Sequence, residues 1–91
     1  RVLVLEREER FADRVRGEVL MSWGVAELEN LGLYRSLERR CAHPLPFLDL
    51  YYQGVQVQRR DLPATTPQRS PWVAFFHPEM QQAVLDEALH R

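Results

Sequence analysis

Glu6 stands first among the residues whose type and position suggest chemistry. It closes the run Val2-Leu3-Val4-Leu5, four apolar residues that read as a short strand buried on both faces. A carboxylate at the carboxyl end of such a strand can accept hydrogen bonds from both vicinal hydroxyls of a ribose, as in dinucleotide-binding units. The competing account is a charged residue ending a strand at the surface. Arg14 and Arg16 follow, with Gly17 directly after them. A guanidinium ahead of a helix start can fork onto a pyrophosphate or a ribitol oxygen. Gly17 would let the backbone approach a ligand closely. The rival for the arginines is an ion pair with Asp13 or Glu18. The remaining reactive types do not assemble. His43, His77 and His90 lack metal-ligand spacing, and Cys41 has no partner near it. No serine occupies a nucleophile turn, and the carboxylates are not paired for acid–base work. The pattern is one of binding, with no catalytic group and no metal site.

Composition narrows the function classes. The chain has 91 residues, enough for one modest core, and a formal charge of −1. That balance offers no basic field for nucleic acid or an anionic membrane. All 12 basic residues are arginine, which we read as a genomic bias. A single cysteine rules out an internal disulfide and fits a reducing compartment. No apolar run approaches the roughly 20 residues of a membrane span, and no signal peptide is present. The expectation is a cytoplasmic segment.

The elements that must position these residues can be taken in order. Arg7 to Asp13 is a charged surface connection in which Phe11 is the one large apolar side chain. Glu18 to Leu31 has a helical pattern, with Ser22 as an N-cap and Trp23, Val25, Ala26 and Leu31 forming an imperfect apolar face. Gly24 inside it costs about 1 kcal/mol against alanine, so something must gain from close approach there. Gly32 suits a left-handed helix end with Leu33 packing back, and Tyr34 to Arg40 reads as a second helix with Tyr34 and Leu37 inward. The prolines of 42–46 break that helix. Phe47–Tyr52 and Val55–Arg60 read as strands joined by Gln53-Gly54, pairing Tyr52 with Val55 and Leu50 with Val57. Asp61 to Pro71, with three prolines, is a connector. Trp72–Phe76 is a third strand of this region. Pro78 opens a last helix whose apolar face (Met80, Ala83, Val84, Ala88, with Leu85 and Leu89 beside them) runs through to His90. Trp23, Trp72, Phe75 and Phe76 are expected in the core.

Several of these stretches carry a resemblance. Glu6-Arg7, then Arg14-Val15-Arg16-Gly17-Glu18, then Trp23 to Leu33, and finally Phe76-His77-Pro78-Glu79-Met80-Gln81-Gln82-Ala83-Val84-Leu85 together resemble FAD-dependent monooxygenases of the aromatic-hydroxylase type. The resemblance spans nearly the whole chain and rests on order and spacing rather than on any single motif. It implies an α/β fold, part of a Rossmann-type FAD-binding domain with the first strands of an antiparallel substrate domain. Residues 1–41 would belong to the FAD domain, 42–76 to the substrate-domain strands, and 77–91 to a helix returning to the FAD domain. It implies FAD as cofactor and NAD(P)H as reductant, with an organic substrate and molecular oxygen as partners. Glu6, Arg14, Arg16, Gly17 and His77 would contact the cofactor, Arg16 more than Arg14. Histidine at position 77 departs from the glutamine or arginine more usual there. The Gly-rich turn of such a unit is not in the chain, so the resemblance implies an internal segment, inactive by itself.

Rival readings remain. Within the class, a flavin-dependent halogenase or a polyprenyl reductase would share this segment. Outside it, the helix, Gly32 turn and second helix suit a small regulatory or interaction module, or a helix-turn-helix. The near-zero charge, and Glu38 among the arginines of the second helix, argue against the last.

Overall fold

The computed structural model describes residues 1–14 and 17–90. It shows a mixed α/β arrangement in which both sheets are antiparallel. In chain order the elements are β1 (Val19–Leu20), α1 (Ser22–Asn30), α2 (Tyr34–Arg40), β2 (His43–Leu45), β3 (Phe47–Tyr52), β4 (Val55–Asp61), α3 (Leu62–Thr65), β5 (Trp72–Ala74) and α4 (His77–His90).

The core forms where the helices meet the small sheet β1-β5-β2. Val25 from α1, Leu37 from α2, Cys41 and Ala42 after it, Val73 from β5, and Met80 and Ala83 from α4 are all buried together. Helices α2 and α4 are further joined at the surface. Ser36 hydrogen-bonds Glu87, and Arg40 pairs with Asp86 at 2.7 Å.

The turn between α1 and α2 follows from its residues. Gly32 has φ +72°, a region that costs an L side chain about 1–2 kcal/mol and glycine little. With it in place, Gly32 N–H donates to the Glu29 carbonyl at 3.0 Å and Leu33 N–H to the Leu28 carbonyl at 2.9 Å. These two bonds make a Schellman ending, and Leu28 and Leu33 both pack against the core.

The start of α1 differs from expectation. Glu18 to Met21 is not helical: Val19↔Ala74 and Leu20↔Val73 pair as a ladder, and the helix begins at Ser22 with Met21 as its N-cap residue. The buried Ser22 hydroxyl does not cap; it donates to the Ser70 carbonyl at 2.7 Å. Hydrogen bonding to β5 satisfies this backbone as well as another helical turn would, so the ladder prevails. Gly24 is explained by the same contact. A Cβ there would lie 2.6 Å from Leu20 Cδ1, so the strand can lie on the helix only because position 24 has no side chain.

Five other expectations require correction. Val2–Leu5 is not a buried strand: it has no ladder partner among the described residues, and its side chains are 81–87 % exposed. Four apolar residues bury themselves only when neighbours cover them, and no described residue does so here. His43–Leu45, read as a helix breaker alone, is strand β2, with Pro44 opposite Val73; an edge position tolerates its missing N–H. In the β3–β4 ribbon, Gln53 (φ +49°) and Gly54 (φ +80°) form the expected two-residue turn, and Tyr52 faces Val55. A bulge at Leu50/Tyr51 then shifts the register, so Leu50 faces Gln58 and not Val57. The 61–71 connector contains helix α3, capped by the Asp61 carboxylate, which accepts from Ala64 N–H at 3.0 Å. Finally, Trp23 and Phe76 are exposed while Trp72 and Phe75 are half-buried, and the α4 face buries only Met80 and Ala83.

The accessible surface is 7393 Å², against about 5,500 Å² for a compact chain of this mass. Large apolar side chains are exposed in the first residues, Val2 to Leu5, and in the ribbon, at Phe47, Leu50, Tyr51, Tyr52, Val55 and Val57.

Candidate functional site

A pocket of about 290 Å³ lies between the 6–14 segment and the start of α4. Glu6, Arg14 and His77 all line it. Gly17 lies alongside: a Cβ built there would sit 3.8 Å from His77 Nδ1. Residues 71 positions apart thus reach one place, and the sheet holds Gly17 and His77 together there. Strand β5 carries the chain directly into α4 and His77. Phe75 N–H, at its end, donates to the Glu18 carbonyl at 2.9 Å, which holds Gly17 beside His77.

Gly17 has φ +58°, so its glycine is required by the backbone. The 3.8 Å approach is ordinary contact distance; space alone would admit a methyl group.

Glu6 is shaped by its own loop. Its Oε1 accepts the Glu8 backbone N–H at 2.9 Å. That bond, and next one from the Arg7 backbone, hold the carboxyl below its ordinary range. The group is ionised at neutral pH, with lone pairs left to accept further donors. This placement comes from the 6–8 turn and not from a strand end.

The surrounding charge is mixed. Glu8 lies 3.1 Å from an Arg7 nitrogen and 3.8 Å from an Arg14 nitrogen. The second contact is loose and Arg14 is 57 % exposed, so a phosphate could take this guanidinium from Glu8 at little cost. Arg10 also lines the pocket and has no ion pair among the described residues. The balance around the opening favours an anion. Arg16 lies outside the described residues.

Six lining residues were not among the candidates read from sequence: Arg7, Glu8, Arg10, Phe11, Ala12 and Gln81. Gln81 had a legible signal, since it is four residues after His77 and shares its face of α4. Phe11 had one too, as an isolated ring in a charged segment. Arg7 and Arg10 had none that separates them from any exposed arginine. Among the described residues, no group of three or more His, Cys, Asp or Glu is placed to hold a metal ion. No helix among them is long and apolar enough to cross a membrane.

Two curated proteins are similar to the chain. Squalene epoxidase of Saccharomyces cerevisiae is 33 % identical over 57 residues. Squalene monooxygenase of Candida glabrata is likewise 33 % identical over 57 residues. Each match takes in 63 % of this chain and 12 % of the relative, so the chain corresponds to a small part of either protein. No family model matches the chain, and no solved structure matches it. The similarity is to oxygen-inserting enzymes, at low identity, and does not extend to aromatic hydroxylases in particular.

Proposed function

We propose that this chain is part of an FAD-dependent monooxygenase and that its pocket receives the adenosine–diphosphate end of the cofactor. One observation carries the reading: Glu6 and Arg14 line a single polar pocket together with the sequence-distant His77, and Gly17 lies beside that histidine. The similarity to two squalene-oxidising enzymes supports the class.

The residues fit the group. Glu6 is an ionised acceptor suited to ribose hydroxyls, and Arg14 and Arg10 are donors suited to a diphosphate. Gly17 adds no side chain between the 17–18 backbone and His77. Bound FAD would supply the redox chemistry and oxygen activation, with NAD(P)H as the electron source. The chain's own part is binding: Glu6 orients the ribose, Arg14 neutralises phosphate charge, and His77 with Gln81 presents polar atoms from α4.

In this reading 1–41 and 77–91 belong to a Rossmann-type flavin-binding half, and 42–76 to an antiparallel substrate half. The relatives' names favour an apolar alkene as substrate over an aromatic ring. Aromatic hydroxylation, halogenation and polyprenyl reduction are alternatives within the class.

The test is FAD affinity in a flavin-binding polypeptide that contains this segment. Glu6→Ala should raise the dissociation constant by about tenfold, since a charge-assisted pair of hydrogen bonds is lost. An unchanged constant would remove Glu6 from the ribose site.

A further inference from the structure

Among the described residues, Phe11 is a ring outside the core. It is half-buried, yet it belongs neither to the core cluster nor to the partly buried residues packed against it. Between Glu8 and Arg14 it has only charged residues and Ala12 for neighbours. It also forms part of the pocket wall with Glu6, Arg10 and Arg14, and apart from Ala12 the rest of that wall is polar or charged.

These chemistries are complementary to three parts of one ligand. An ionised carboxylate suits a sugar diol, and guanidinium groups suit a phosphate. An aromatic face suits a heteroaromatic base, because every base presents a π-face to stack. The cavity, about 290 Å³, lies at the lower limit of small-molecule sites. It accommodates one nucleoside phosphate rather than a dinucleotide. We propose that Phe11 is the stacking platform for the purine base of the nucleotide whose ribose Glu6 holds. The assignment rests on the nucleotide reading above and adds the residue that recognises the base. Phe11 thereby makes the site selective for a nucleotide over a sugar phosphate.

The experiment compares AMP with ribose 5-phosphate on a flavin-binding polypeptide that contains this segment, freed of FAD, by ligand-observed NMR at millimolar concentrations. AMP should bind about tenfold more tightly than ribose 5-phosphate, as one stacked base contributes. Phe11→Ala should abolish that preference and leave ribose 5-phosphate affinity unchanged; Phe11→Trp should restore it. Circular dichroism and melting should be unaffected by Phe11→Ala, because the ring lies outside the core. Glu6→Gln should weaken both ligands alike. Equal binding of the two ligands, or a Phe11→Ala variant that retains the preference, overturns the platform while leaving the ribose assignment intact. Undiminished ribose 5-phosphate binding by Glu6→Gln overturns the reading beneath it. Failure of both ligands to bind the unaltered polypeptide overturns both.

Discussion

Replacing Gly24 by alanine should destabilise the fold even though alanine is the better helix former. In an unconstrained helix the substitution gains about 1 kcal/mol. Here the new methyl group would lie 2.6 Å from Leu20 Cδ1, 2.7 Å from Cγ and 3.3 Å from Cδ2. Leu20 cannot simply swing away, because it packs against the core and its backbone is in the ladder with Val73. Overpacking of this kind costs about 1–3 kcal/mol, so the net effect is a loss of about 1 kcal/mol. Leu20→Ala removes all three clashing atoms. In that background Gly24→Ala should stabilise by its full propensity gain of about 1 kcal/mol. The coupling between the two positions is then about 2 kcal/mol. Denaturant unfolding of the four variants of this cycle, followed by helical circular dichroism, measures it directly. There is a functional consequence as well. Leu20 is two residues from Glu18, whose carbonyl holds Phe75 and so sets Gly17 beside His77. Nucleotide affinity should fall with Gly24→Ala and recover in the double variant. If Gly24→Ala stabilises equally in both backgrounds, the packing of β1 on α1 described above is wrong.

Three shorter predictions follow from the same structure. Arg14→Ala should weaken nucleotide binding and flatten its dependence on ionic strength, measured by titration at low and high salt, because an exposed guanidinium acts through screened charge. Burial first, and then the Glu79 carboxylate, push the Cys41 thiol above its ordinary value, while Arg40 pulls the other way. The unfolded thiol therefore ionises first as pH rises, and stability should fall between the ordinary and the raised value; alkylation of the native protein should be slow at neutral pH and fast in urea, and equal rates would contradict the burial. Gly54→Ala meets nothing within 4 Å but must adopt φ +80°, so it should cost about 1 kcal/mol through the backbone alone, read from the unfolding midpoint.

Local chemistry decided what could be recognised in advance. The end of α1 at Gly32, the Gln53-Gly54 turn and the opening of α4 at His77-Pro78 depend on backbone preferences of the residues themselves, and each stands where the sequence placed it. The inward position of Leu37 was legible for the same reason, since helical periodicity is a local property. Glu6, Arg14, Gly17 and His77 could each be noticed from type and position. Whether they meet could not be read, because that depends on pairings between distant strands. Val19 and Leu20 are as apolar as a helix turn and became a strand only because β5 offered hydrogen bonds. Val2–Leu5 has a strand's composition but no described partner, and it stays exposed. Leu50 lost Val57 to a bulge that leaves no mark in residue type. Phe11, Arg10 and Gln81 entered the site only when α4 and the 6–14 segment came together around one pocket. Residue type determines what a side chain can bind, and long-range hydrogen bonding and packing determine which side chains share a ligand.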